Sequence, residues 1–226
     1  MTDATGADTG RVEGEKQVAA EAAAELVEDH MTVGLGTGTT VVHLLPVLAR
    51  RSLSVRYVST SPRTEQAARE LGLTVEAFES VTELDLAIDG ADQVAPDGWL
   101  VKGGGGAHTR EKVVAAAARR FVVIVDSSKL VEALQEPVPL ELLEFGLAAT
   151  MHRLGRVTLR DGPRSPDGGI IADYRGPVDD PARLAARLSA TPGVVEHGLF
   201  ARDLVSAVVV GRGASAEWVE VSTGRP

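Results

Sequence analysis

The apolar positions of this chain fall into short runs, separated by stretches whose apolar residues recur at helical spacing. Between Glu15 and His30, EKQVAAEAAAELVEDH carries an alanine-rich apolar stripe and predicts a helix. MTVGLG (31–36) is a short apolar run ending in Gly and Thr, which predicts a buried strand, and TVVHLLPVLARR predicts a helix that Pro46 should kink or shorten. VRYVST (55–60) predicts a strand and TEQAARELG (64–72) a helix closed by Gly72. TVEAFE and DLAID are two further strand candidates. TREKVVAAAARR (109–120) then predicts a helix and FVVIVD (121–126) a buried strand.

Strands that alternate with helices in this way predict an α/β domain built on a largely parallel sheet. Ligands of such sheets sit beyond the carboxyl ends of the strands, where this chain has GTGTT, STS, DGAD and DSSK. After PVPLELLEFG the rhythm changes. A helix near 145–154, strands at 156–160 and 170–174, the helix DPARLAARLSA and strands near 194–199 and 204–210 predict a small α+β domain. The expected division is a disordered tail over 1–14, an α/β domain over 15–136 plus 206–226, and the small domain over 137–205. SAVVVG is expected to rejoin the first sheet.

Composition narrows the function. The 226 residues are 44% hydrophobic and 24% charged, as in an ordinary soluble globular protein. A net charge of −9 speaks against a nucleic-acid surface, though not against a small anionic ligand in a local pocket. There is no cysteine, which excludes disulfides, thiolate metal sites and cysteine nucleophiles. The N-terminus lacks the apolar core of a signal peptide and no run is long enough for a membrane span, so a cytoplasmic protein is expected.

Three motifs carry candidate chemistry. GLGTGTT (34–40) joins a strand to a helix, where backbone amides and the helix dipole favour an anion. It departs from G-x-G-x-x-G and has no P-loop ending, so with Thr37, Thr39 and Thr40 it suits a monophosphate, or else is a plain structural turn. AIDGADQV (87–94) sets Asp89 and Asp92 at a strand end, where they can bind sugar hydroxyls, coordinate a metal, act as acid and base, or merely stabilise an Asx turn. VKGGGGAHTREK (101–112) places Lys102 before four glycines and Glu111 in the first turn of the next helix. There a carboxylate can serve as a base or simply complement the dipole. Arg110, Lys112, Arg119 and Arg120 read as a solvated helix face. The five histidines show no ligand spacing, and no metal is expected.

In their order, GLGTGTT, LDLAIDGADQV, KGGGGAHTREK and VIVDSSKLV resemble the ribose-5-phosphate isomerase type A family, and PVPLELLEFG and TPGVVEHGLF extend the likeness toward the C-terminus. The resemblance implies a Rossmann-like, largely parallel sheet domain with a second, smaller α+β domain. It also implies an aldose–ketose isomerase that interconverts ribose 5-phosphate and ribulose 5-phosphate without a cofactor, as a homodimer or homotetramer. On the family pattern the phosphate turn is Thr37, Gly38, Thr39 and Thr40. The substrate loop is Asp89, Gly90, Ala91 and Asp92, and the glycine loop is Lys102, Gly103, Gly104 and Gly105. Glu111 is the implied base and Lys129 a further substrate contact. Glycine amides and Lys102 would then meet the oxyanion of an enediolate, while Asp89 and Asp92 would hold hydroxyls and assist ring opening as further catalytic residues.

Three positions depart from the family pattern. Gln93 replaces the glutamate usual after D-G-A-D, His108 a leucine, and Thr39 a serine whose hydroxyl it keeps. A sugar-phosphate-sensing module is the rival from another class; the lack of a helix-turn-helix segment and the presence of Glu111 speak against it. An acyl-CoA transferase or an amino-sugar-phosphate isomerase is opposed by the complete motif set.

Overall fold

The computed structural model describes residues 4–220. The chain opens with α1 (Ala4–Ala24), β1 (Thr32–Leu35), α2 (Thr39–Arg51), β2 (Arg56–Ser59), α3 (Pro62–Glu70) and β3 (Leu86–Asp89). Next come β4 (Gln93–Val94), β5 (Leu100–Val101), α4 (His108–Ala117), β6 (Phe121–Asp126), β7 (Val138–Leu142), α5 (Leu147–Leu154) and β8 (Val157–Leu159). The last elements are β9 (Ile170–Tyr174), α6 (Pro181–Ser189), β10 (Val194–His197), β11 (Leu199–Phe200), β12 (Ala207–Arg212) and β13 (Ser215–Glu220).

Two compact units result. The first takes the chain through Gly90, then Val113–Lys129 and the segment from Asp203 onward; the second takes Ala91–Lys112 and Leu130–Arg202. In the first, a six-stranded sheet runs β13-β12-β6-β3-β1-β2. All its pairings are parallel except that of β13 with β12. β6 is buried at every position, so it shows no alternation of polar and apolar residues; a sheet covered on both faces needs none. As expected, 207–212 rejoins this sheet beside β6. Ala20, Ala23, Leu44, Leu48, Ile88 and Ile124 belong to its core.

In the second unit the strand ladders are antiparallel, and one isolated parallel bridge joins Val94 to Leu130. One sheet runs β10-β7-β9-β8 and another β11-β5-β4. Leu140, Leu142, Ala172, Leu184, Leu188 and Leu199 share its core with Val101. α6 is well specified: Asp180 accepts from the Arg183 amide at 3.0 Å, Pro181 follows at the helix start, and Leu184 and Leu188 form the buried stripe.

Several expectations change. The tail predicted to be disordered is helical from Ala4, and α1 ends at Ala24 instead of reaching His30. Arg11 supports the early turns, pairing with Asp8 and Glu15 at 2.8 Å each, at i,i+3 and i,i+4 spacing. α2 passes through Pro46 without ending. TVEAFE forms no ladder strand: Val75 makes one parallel bridge to Tyr57, and a 3-10 turn follows over Phe78–Ser80. Finally, residues 91–112, assigned from sequence to the first domain, belong to the second unit, where β5 pairs with β4 on one side and β11 on the other.

Candidate functional site

In the first unit the turn after β1 is shaped by one carboxylate. Asp89 ends β3, a parallel neighbour of β1, and its Oδ1 accepts the amides of Thr37 at 3.0 Å and Gly90 at 2.7 Å. The carboxylate lies so close to Gly36 that any Cβ there would collide with it. The Thr37 and Thr60 hydroxyls lie 2.8 Å apart. Gly38 is the N-cap of α2, with φ +120° and no side-chain cap. The first-turn amides of Thr39 and Thr40 have no intrahelical acceptor, and Thr39 beside them is exposed, an arrangement suited to an anion. Lys129 lies half-buried on the 3-10 turn that follows β6.

In the second unit, Lys102 follows β5 and Glu111 lies in the first turn of α4. Nζ of Lys102 and Oε2 of Glu111 are 3.2 Å apart, with side chains only 2% and 3% exposed. A buried pair of this kind is costly to desolvate, so it marks chemistry more readily than stability. The Phe200 ring lies 5.3 Å from the Lys102 ammonium, and the Lys102 amide donates to Gly198 O at 2.8 Å.

The glycine loop is tightly held. Gly103 has φ +105°, and a Cβ there would sit 2.8 Å from His108 Nδ1 and 2.9 Å from Pro139 Cβ. The Gly104 amide donates to Asp92 Oδ2 at 2.8 Å, and a Cβ at Gly104 would lie 2.7 Å from the other Asp92 oxygen. Asp92, Lys102, the glycines and Glu111 thus gather in one unit, while Thr37 to Thr40, Asp89, Gly90 and Lys129 lie in the other; Ala91 begins the second unit.

Of the three departures, Gln93 has a local explanation. Gln93 donates from Nε2 to Gln135 O at 2.9 Å and accepts the Gln135 amide at 2.8 Å, a two-way bond that a carboxylate cannot make. His108 is fully buried, and among the described residues neither ring nitrogen makes a hydrogen bond. Burial, reinforced by the Lys112 charge, pushes its pKa down to about 3, against a small upward pull from Glu196.

The sequence reading missed other members of this neighbourhood. Lys112 is not on a solvated face: its ammonium donates to Glu196 Oε1 and to His197 O, each at 2.7 Å, and burial lowers its pKa. Glu141, buried on β7, accepts from Thr109 Oγ1 and from Ser165 Oγ. Arg160 donates to the carbonyls of Gly103 and Gly104. These partners lie 24 to 85 positions apart in sequence and form no local motif. Among the described residues no group of three or more His, Asp or Glu is placed to hold a metal ion, and no helix is long and apolar enough to cross a membrane.

The family model described as ribose 5-phosphate isomerase A (phosphoriboisomerase A) matches residues 56–215. Ribose-5-phosphate isomerase A of Lacticaseibacillus paracasei is 42% identical over 224 residues, covering 92% of this chain and 97% of the relative. The crystal structure of ribose 5-phosphate isomerase A from Neisseria gonorrhoeae superposes with a TM-score of 0.87 at 33% identity, over 92% of this chain and 96% of that one. A D-ribose-5-phosphate isomerase solved in complex with phospho-erythronic acid also gives 0.87, at 35% identity over 92% and 99%.

Proposed function

Since the chain belongs to the ribose 5-phosphate isomerase A family, and so interconverts D-ribose 5-phosphate and D-ribulose 5-phosphate, we propose that Glu111 is the base that carries the proton between C2 and C1. The observation behind this reading is the buried Lys102–Glu111 pair at the end of the glycine loop. On the open-chain aldose, the Glu111 carboxylate takes the C2 proton. The C–H electrons form the C1–C2 double bond and the carbonyl π electrons move to O1, giving an enediolate. Glu111 returns the proton to C1 while the O2 proton passes to O1, leaving a carbonyl at C2. Lys102 and the loop amides stabilise the growing negative charge without rearranging.

In the same reading, Thr37, Gly38, Thr39 and Thr40 take the phosphate. Asp92 and Lys129 contact the sugar phosphate, and Asp89 holds the phosphate turn in shape. The phosphorylated form of phospho-erythronic acid in the related complex supports recognition of a sugar phosphate. The reaction belongs to the non-oxidative pentose phosphate pathway, in the cytoplasm, and a homo-oligomer carries it out; sedimentation giving monomer alone at working concentrations contradicts the last part. Phosphate recognition supplies most of the affinity, so free ribose should be a poor substrate, and equal turnover of the two sugars would reject this. No metal is required, so activity should survive EDTA.

Turnover in D2O tests the base. Wild-type enzyme should incorporate deuterium at C1 of the ketose, and Glu111→Gln should lose incorporation and ketose formation together. A variant that still exchanges at the wild-type rate removes Glu111 from the role.

A further inference from the structure

We propose that Arg160, braced by Asp173, is a positioning residue that aims the Gly105 amide of the glycine loop. This rests on the reading of that loop as the site where the enediolate oxyanion forms.

Arg160 follows β8, and its own amide donates to Ile171 O on β9 at 3.0 Å, continuing the ladder past the last strand residue. Asp173, two residues beyond Ile171 on the same strand, is therefore its diagonal cross-strand neighbour. The guanidinium meets this carboxylate in a fork, Nε to Oδ2 at 3.0 Å and Nη2 to Oδ1 at 2.6 Å. That leaves Nη1 directed at the loop, where it donates to Gly103 O at 2.9 Å and Gly104 O at 3.1 Å. Four of the five guanidinium N–H groups are thus engaged; no other side chain offers a planar array of this reach.

The consequence follows from peptide geometry. In a trans peptide the C=O and N–H point in opposite directions. Holding Gly103 O toward Arg160 turns the Gly104 N–H away, and that N–H is the one received by Asp92 Oδ2 at 2.8 Å. Holding Gly104 O toward Arg160 turns the Gly105 N–H away in the same manner. The Gly105 amide makes no hydrogen bond among the described residues, and Gly105 is exposed. Glycines offer little steric resistance to a peptide flip. The Gly103–Gly104 plane keeps its bonds from the Gly104 amide to Asp92 at 2.8 Å and from the Gly106 amide to Gly103 O at 3.0 Å, so the Gly104–Gly105 plane is the one that depends on the guanidinium. Arg160 thus supplies to the Gly104–Gly105 peptide an orientation that the glycine sequence does not encode.

The test compares Arg160→Lys, Arg160→Met and Asp173→Asn with Lys102→Met in the full-length enzyme. The probes are turnover of ribose 5-phosphate, inhibition by a four-carbon aldonic acid phosphate whose carboxylate mimics the enediolate oxygens, and inhibition by inorganic phosphate. Loss of one oxyanion donor costs about 10²–10³ in kcat, so misaiming one should cost about 10–100-fold. Aldonate affinity should fall in parallel, inorganic phosphate affinity should stay near wild type, and lysine should fail to rescue. Arg160→Lys and Asp173→Asn keep the experiment decisive if Arg160→Met does not fold. A lowered Tm with kcat and aldonate affinity retained overturns the proposal and leaves Arg160 as a structural residue. If Lys102→Met collapses kcat while the Arg160 variants do not, only the Arg160 assignment fails. If Lys102→Met retains kcat, the oxyanion reading of the loop fails, and this inference with it.

Discussion

The turn at Gly36–Thr40 and the loop at Lys102–Gly106 both depend on glycines, yet they are held by different means. A single carboxylate fixes the first: Asp89 gathers two amides of the backbone around it, and the start of α2 supplies further N–H groups by its geometry alone. The second is gripped from two sides, an amide by Asp92 and two carbonyls by Arg160, and it stands beside a buried ion pair. A site made from helix and strand ends needs few supports. One that must direct individual amides in a glycine run needs them from distant strands.

The largest effect expected is at Glu111. Glu111→Gln keeps size but cannot take the proton, and loss of a positioned base costs about 10²–10⁴ in rate, or about 3–5 kcal/mol of barrier. Position in the first helical turn alone would make the change nearly neutral for folding, at about 0.3–1 kcal/mol. The buried Lys102 partner alters that expectation, because breaking a buried pair costs about 3–5 kcal/mol. Tm should therefore fall with kcat, and Lys102→Met combined with Glu111→Gln should recover Tm without recovering kcat. If the double variant regains neither, the pair is not the source of the lost stability.

Asp89 offers a smaller effect, and one that separates fastener from reactant. Asp89→Ala releases the Thr37 and Gly90 amides. With charge-assisted bonds worth about 1.5–3 kcal/mol, KM for ribose 5-phosphate should rise about 10–100-fold while kcat falls less. Asp89→Asn keeps an acceptor oxygen and should recover most of the loss. An asparagine variant as damaged in kcat as the alanine variant would show that the carboxylate acts on substrate, and the contrast between the two loops would weaken.

Sequence legibility follows the same divide. The parallel strands, the helix after the Gly36–Thr40 turn and the return of 207–212 to the sheet were readable because each is a continuous apolar run or an apolar stripe at helical spacing. The clustering of Asp92, Lys102 and Glu111 in one unit was readable only as family likeness, since no spacing rule brings a strand end, a glycine loop and a helix start together. Arg160, Glu141 and the Lys112–Glu196–His197 group left no signal: each side chain looks like a surface charge until a partner far along the chain buries it. Lys112 was misread for that reason, its apparent solvated face being decided by β10, 84 residues on. α1 was misplaced by a different cause, because charged i,i+3 and i,i+4 pairs extend a helix through residues that look like a polar tail.

His108 gives the smallest effect and distinguishes the loops by pH. Its ring packs against Gly103, with Lys112, Glu196 and Arg160 as its charged neighbours. Unfolded, the imidazole titrates near 6.5; folded, burial and then the Lys112 charge hold it to about 3. Between those values the unfolded chain binds a proton that the folded chain refuses, so this contribution to stability is intact above pH 6.5 and drains away as pH falls toward 3. His197, held to about 4 by burial and Lys112, adds a loss in the upper part of the same window. In the first unit, Glu15 is held to about 2: burial raises it, but the Ser127 hydroxyl and amide and the Gly213 amide more than offset this. Its share of stability therefore persists until pH falls below 4.5 and is lost toward 2. His108→Leu removes the first of these losses and also a buried polar group without a hydrogen bond, a gain of about 1–3 kcal/mol. At about 2–4 °C per kcal/mol for a chain of this size, Tm at neutral pH should rise by several degrees. Acid unfolding monitored from pH 7 to pH 3 should become shallower between 6.5 and 4, while the Glu15 window stays where it was. An unchanged slope in that upper range would mean that the imidazole finds a partner or water in solution, and that the glycine loop is no more sensitive to acid than the Gly36–Thr40 turn.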